Sequence, residues 1–387
     1  MVKNLHFNLS RFYFVYYFFV GLFVPYWGLY LTFKSFSPIE IGFLLSFFQL
    51  SRIFAPNLWG WIADHTEKRS LWIRLTAFVG FVGFIGIFWA DSFIEIFVIM
   101  MAMSVFTSST LPLAESLTLS HLATTNGHYS KIRAWGSLGF IAASLGLGFI
   151  FDIFGIKCLL FMLLLTQFFI FIFSYSIPDK PYHQESFGRK SFLQIIKKPE
   201  VFSLLLACAL MVTSHGLLYN FYSIYMNEQG YSNSIIGFLW ALGVICEICI
   251  FFLMPKIIRF LNFKQVLLIS LFIAVVRFYL IGSFADCLLI IFIAQMMHAF
   301  TFGSFHVASI EMINQFFSGK NHAKGQALYN SITYGVGGAL GGLGGGYIIQ
   351  MYSASAAFTL SAIFPLIGFF IALVGIKSRF SASKLFN

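Results

Sequence analysis

An acidic residue, Glu115, stands inside the apolar run around PLAESL, and 18 residues later Arg133 opens the next apolar run, YSKIRAWGSLGF. An ionised side chain near the centre of a bilayer costs about 2.5–3.5 kcal/mol on insertion scales, so such groups face a bundle interior or an aqueous cavity. The spacing predicts that these two opposite charges meet there. Further polar groups interrupt apolar runs at Arg52, His215, Glu247, Arg277, His298, His306 and Glu311. Their chemistry is that of holding a polar solute and passing a proton. No nucleophile, base and orienting group share a recognisable spacing, and the loops are too short for a catalytic domain, which argues against an enzyme. Cys246 and Cys249 form a CxxC in mid-run with no second ligand pair nearby, so no metal and no cofactor is expected.

The elements that position these groups follow from composition. Of the 387 residues, 59% are hydrophobic and only 10% charged, with a mean hydropathy of +0.85, which excludes a soluble domain and implies a polytopic membrane protein. The 52 Phe are read as lipid-facing filler. A net charge of +10 is scattered through short loops and forms no patch for nucleic acid. Twelve apolar runs, each about 20 residues or longer, are long enough to cross the hydrocarbon core as helices. They lie near 11–33, 40–62, 71–90, 93–118, 134–151, 156–177, 202–226, 234–255, 265–284, 287–313, 326–350 and 354–376. The connection 178–201, containing PDKPYHQESFGRKS, divides them into an N-terminal six-helix bundle, 1–177, and a C-terminal one, 202–387. Placing both termini in the cytoplasm puts the basic loops there, from Lys3 to Lys384, and leaves only Lys34 and Lys157 on the far side.

The halves resemble copies: NGHYSK before the fifth run has a counterpart in NHAK before the eleventh. Duplication of a six-span unit marks transporters whose site lies between two bundles. In the eleventh run Gly337, Gly341 and Gly345 recur every four residues, as do Gly338, Gly342 and Gly346. Such a face permits close helix packing, and a bend for alternating access is the other reading.

Between the second and third runs stands GWIADHTEKR. There Gly60 allows close approach, Asp64 accepts hydrogen bonds from a facing helix end, and Lys68 and Arg69 hold the loop in the cytoplasm. This stretch resembles the signature loop of the major facilitator superfamily, which implies a gate at Gly60, Asp64, Lys68 and Arg69. The order of the intramembrane charges is similar to that of the lactose permease type of proton symporter. In that type a fourth-span acid and a fifth-span Arg hold substrate, and an eighth-span acid, a ninth-span Arg and a tenth-span His complete the site and proton path. By this resemblance Glu115 and Arg133 hold substrate, while Glu247, Arg277 and His298 couple protons. A closer resemblance, over nearly the whole chain, is to the phenylpropionate permease branch. It is carried by YSKIRAWGS, SHGLLYNFYSIY, GYSNSIIGFLWALGVICE, AVVRF and MMHAFTFGSFH. Two departures from the lactose permease pattern stand out. Thr301 occupies the place of an acid three residues after His298, and Phe140 occupies that of a sugar-stacking Trp.

The reading that results is a monomeric secondary active transporter of the all-α major facilitator fold. It is expected to be a proton symporter moving a small organic solute across the inner membrane, with an aromatic acid favoured by the intramembrane arginines. A sugar or nucleoside is the alternative, and a transport-like sensor a more distant one. Phe140, His215, Tyr219, Trp240 and Arg52 are further candidates to contact the solute, with Tyr222, Tyr26 and Trp27 behind them. For Arg52 a structural contact serves equally well. His306 suits an interhelical hydrogen bond, and Glu311 a cap with Lys320 or Lys324.

Overall fold

The computed structural model describes residues 2–122, 129–180 and 189–377. Lys384, residues 123–128 of the first polar turn and 181–188 of the central connection lie outside the described residues, as do the side chains of Lys3 and Lys320. A backbone in lipid must satisfy its own N–H and C=O groups, and among the described residues the chain does so with helices alone. Among the described residues ten helices are long and apolar enough to cross a membrane. In chain order they are Leu5–Phe33, Pro38–Thr66, Arg69–Ile87, Phe93–Leu122, Tyr129–Phe154, Pro199–Glu228, Asn233–Phe260, Phe263–Ser283, Leu288–Phe316 and Ala354–Gly375. The shorter apolar helix Cys158–Ser174 is the sixth span, and the interrupted run 322–351 is the eleventh. Twelve spans thus stand in the expected order, and a short helix, Arg189–Ile196, sits in the central connection.

Several helices run past their apolar stretch. The first extends back to Val2, because its polar start holds no Gly or Pro to stop it. The second begins at a capping box in which Ser37 accepts from the Glu40 amide while Glu40 reaches back to Ser37; Asn262 and Gln265 repeat the device at the ninth. Gly155 and Gly230, with φ of +81° and +85°, make the tight reversals that follow the fifth and seventh spans.

The helices fall into two compact units. Unit 1 comprises Met1–Gln184 with Gly230–Ala241, and unit 2 comprises Glu185–Gln229 with Leu242–Asn387. The first turns of the eighth span go with unit 1 because Asp152 holds them. Its carboxylate accepts from the Asn233 amide at 2.8 Å, the Asn233 side chain at 3.0 Å, the Ser234 amide at 2.9 Å and the Ser234 hydroxyl. An anion at a helix N-terminus is favoured by the unpaired amides there.

Within unit 1 the first and fifth spans pack almost backbone to backbone. A Cβ at Gly139 would strike the Phe14 carbonyl, and one at Gly21 the Phe140 carbonyl. Unit 2 repeats this with the seventh and eleventh spans. Gly337, Gly341 and Gly345 face Ala209, Thr213 and Leu217 in turn, and Gly216 faces Gly338. The glycine face therefore serves close packing. Unit 2 also departs from regular α-helix twice, with π-helical turns at Ala299–Ser304 and Ser331–Gly337.

Candidate functional site

In unit 1 the two charges expected to meet each have another partner. The Tyr129 hydroxyl donates to Glu115 at 2.9 Å, while the Arg133 guanidinium lies 3.9 Å from the centre of the Tyr17 ring. No Glu115–Arg133 ion pair forms among the described residues. Glu115 sits just past Pro112 in the fourth span, and Arg133 lies one turn after Tyr129 in the fifth, so one helical face presents phenol and guanidinium together. Tyr13 completes the wall, its ring edge-on to Tyr129 at 6.4 Å and its hydroxyl 3.3 Å from that of Thr118. Both charged groups are half-buried. Arg52 is exposed, 5.9 Å from the Phe48 ring centre, and forms no ion pair among the described residues.

The remaining unit 1 candidates turn inward. Tyr26 is fully buried with its hydroxyl 2.8 Å from the Ser144 carbonyl, and Trp27 stacks between Phe23 and Tyr30 at 5.5 and 5.2 Å. These rings help to hold the bundle together, and Trp27 also lines a small cavity with Phe23, Phe48 and Phe84. Phe140 is 8% exposed, and Trp240 lies buried in the first turns of the eighth span, within unit 1.

At the GWIADHTEKR loop the basic pair divides. Arg69 is buried, donates to Asp64 through Nε at 3.0 Å and through Nη2, and reaches the Ser116 hydroxyl; Lys68 is exposed. Asp64 is therefore held by its own loop, not by a facing helix end. Gly60 also differs from expectation, since a Cβ there would meet nothing within 4 Å, so no close approach requires it.

Unit 2 brings four of the expected groups together around Arg277. The guanidinium is fully buried and donates to the Ala294 carbonyl at 2.9 Å, Thr301 at 3.0 Å and Gln295 at 3.1 Å, with His215 Nε2 at 3.4 Å. His215 Nδ1 lies 3.0 Å from the Met211 carbonyl and must donate to it, so Nε2 is the acceptor facing Arg277 and this imidazole is neutral. Tyr219 stands one turn on, 6.0 Å from the His215 ring, and Tyr222 is fully buried. Across the site His298, Phe302 and His306 stack in a column, at 5.3 and 6.0 Å between centres. The wide turn Ala299–Ser304 keeps these three rings on one face. His306 meets the Tyr334 hydroxyl at 3.1 Å, an interhelical hydrogen bond.

Glu247 borders this cluster from the eighth span. Its Cγ lies 3.4 Å from where a Gly303 Cβ would stand, whereas His298 and Gln295 face Gly243, one turn earlier in the eighth span. Glu247 and His298 form no hydrogen bond among the described residues. Tyr219 and Tyr334 are among the electrostatic neighbours of Glu247. Glu311 is half-buried with His322 nearby, while Lys324 lies over the Phe192 ring at 5.9 Å.

Tyr17, Tyr129, Gln295 and Tyr334 were not singled out from sequence. Tyr129 carried a signal, being four residues before Arg133; the other three are unremarkable polar or aromatic residues in apolar runs.

The profile of the MFS_1 like family matches residues 6–360. Over 366 residues the chain is 28% identical to a protein of Escherichia coli (strain K12) described as a probable 3-phenylpropionic acid transporter, covering 93% of this chain and 95% of that one. It is 24% identical over 379 residues to a maltose permease of Geobacillus stearothermophilus, covering 96% and 95%. A variant of the nucleoside transporter NupG superposes with a TM-score of 0.86 at 17% identity, covering 96% of this chain and 100% of that one. The POT family transporter PepTSo gives 0.76 at 12%, covering 96% and 97%. At those identities the solved structures speak for the fold alone. The fold and a family match over nearly all of its length agree: the chain is a multi-pass membrane transporter, not an enzyme, and it belongs to the MFS_1 like family of the major facilitator superfamily.

Proposed function

We propose that the protein is a secondary active transporter that carries a small aromatic carboxylate, of the phenylpropionate type, across the inner membrane by alternating access and in symport with protons. The observation that carries this reading is the state of Arg133. Among the described residues it forms no ion pair with Glu115, which takes the Tyr129 phenol, and its guanidinium lies 3.9 Å from the centre of the Tyr17 ring. A half-buried guanidinium of this kind supplies a forked set of donors for a carboxylate, and the tyrosines beside it supply ring edges and faces for an aromatic group. The similarity to a probable 3-phenylpropionic acid transporter supports the same solute class.

Proton coupling is assigned to Glu247, with Glu115 second, as half-buried carboxylates within spans. Both termini are placed in the cytoplasm on the distribution of Lys and Arg. A sugar or nucleoside is the second reading. Glu115 favours it, because a carboxylate held by a phenol retains lone pairs for solute hydroxyls.

Uptake into proteoliposomes separates these readings. With an inward proton gradient, 3-phenylpropionate should accumulate and its neutral amide should not, and collapsing the gradient should stop accumulation. Accumulation of maltose or a nucleoside in place of the acid would overturn the solute assignment, and binding without net movement would identify a sensor.

A further inference from the structure

We propose that Arg277, Gln295 and His298 form a carboxylate-binding site lying wholly within unit 2, distinct from Arg133. The inference rests on the reading of the solute as a small organic anion, and it names the groups in unit 2 that receive it.

Charge balance is the first argument. Arg277 is 0% exposed, and its four partners, the Ala294 carbonyl, Thr301, Gln295 and His215, are all uncharged. Among the described residues no carboxylate lies within ion-pair distance of it. Thr301 is central to this: an acid at that position would neutralise the guanidinium from within. A buried cation without an anion is costly, and a bound anion removes that cost. Among the described residues one guanidinium N–H on Nη2 is unused, because that nitrogen makes a single hydrogen bond, to Gln295.

The second argument is a pair of buried polar nitrogens with nothing to bind. Among the described residues Gln295 Nε2 and His298 Nδ1 have no hydrogen-bond partner, although the two residues are only 3% and 7% exposed. Such groups are rare in folded proteins and point to a partner supplied from outside the chain. Gln295 connects the two arguments. Its carbonyl already accepts from Nη2 at 3.1 Å, so its amide NH2 projects beside the guanidinium. Opposite, the eighth span presents Gly243, which adds no side chain against His298 Cδ2 or Gln295 Oε1.

The third argument is shape. Phe302 stacks on His298 at 5.3 Å with planes 13° apart, and Phe278 meets His215 edge-on at 5.3 Å. A carboxylate on Nη2, the Gln295 amide and the His298 N–H would leave its aromatic end against those rings. The π-helical turn beginning directly after His298 is the irregular backbone commonly found at such sites.

The test uses the full chain purified in detergent, with 3-phenylpropionate and 3-phenylpropionamide as probes and both thermal shift and titration calorimetry as readouts. Gln295→Glu is the decisive variant: it is isosteric and places a permanent carboxylate on Arg277, so the fold should hold while the acid's affinity falls about 10- to 100-fold. His298→Leu should fold and weaken the acid severalfold. Neither change should affect the amide. Wild-type binding of the acid with unchanged affinity in both variants would overturn this site and leave the proposed transport intact. Failure of the wild type to bind any carboxylate would overturn both. Arg133→Gln as a companion tells the sites apart, since its loss of binding with Gln295→Glu unaffected would place the carboxylate in unit 1 alone.

Discussion

The glycine seam of unit 2 permits a controlled test of whether close packing is what the eleventh span requires. Gly341 and Gly344 lie in the same helix three residues apart. A Cβ on Gly341 would press on the Thr213 carbonyl and approach the Leu217 amide at 3.0 Å; one on Gly344, which is exposed, would meet nothing within 4 Å. Each Gly→Ala change gains the same intrinsic helix preference, about 0.8–1 kcal/mol, so that contribution cancels between them. What remains is the overpacking cost at Gly341, about 1–3 kcal/mol, at the upper end because the obstructing atoms are backbone and cannot rotate away. For a unit of this size that difference corresponds to roughly 2–12 °C in apparent Tm. Thermal unfolding of both variants in one detergent at one scan rate measures it, since irreversible loss makes single values rate-dependent. Gly344→Ala should unfold at or slightly above the wild-type temperature, and Gly341→Ala clearly below it. Equal shifts in the two variants would refute the packing argument.

Further outcomes follow from the same contacts. Tyr17→Leu should cost about 0.5–2 kcal/mol through loss of the ring under Arg133, whereas Tyr17→Phe should keep most of it; chemical denaturation compares them. Asp152→Ala removes the carboxylate that caps Asn233 and Ser234, and should cost about 1–2 kcal/mol and speed hydrogen exchange at those two amides. Arg69→Lys cannot hold Asp64 and Ser116 together, so transport rate should drop even where expression is normal, as radiolabel uptake would reveal. Glu247→Gln should abolish uphill uptake and spare downhill exchange, and undiminished accumulation would remove Glu247 from proton coupling.

The positions of the spans were legible because hydrocarbon thickness dictates how long an apolar run must be, and that length is written in the chain. The interruptions of those runs were legible too: Glu115, Arg133, Arg277 and His298 stand out by cost alone. Their partners were not. Glu115 and Arg133 suggested an ion pair because opposite charges were the simplest account of two buried ions, yet a phenol one turn before Arg133 and a ring from the first span take their places. In a chain with 52 Phe and 17 Tyr, no local pattern distinguishes the one tyrosine that will lie under a guanidinium. The burial of Tyr26 and Trp27 was likewise hidden, since nothing in a Pro-Tyr-Trp sequence tells a ring packed in the core from one on a cavity wall. Thr301 was noticed only as a missing acid; the structure shows it occupied with Arg277.

The two units share a plan but not its irregularities. Among the described residues both π-helical turns belong to unit 2, one following His298 and one containing Tyr334, and they are joined where Tyr334 meets His306 at 3.1 Å. A π turn has poorer hydrogen-bond geometry than the α-helix around it and persists where neighbouring contacts hold it. The second of these turns ends at Gly337, where the seam against the seventh span begins. Below that point Gly341 is closed backbone to backbone, so sliding along the seam would require helices already in contact to separate. Rewinding the turn would part Tyr334 from His306 and from the Tyr329 ring, side-chain contacts that can re-form. Solute binding in unit 2 is therefore expected to change hydrogen exchange at 331–337 and leave 338–346 as it was, and the reverse pattern would mean that the seam itself moves.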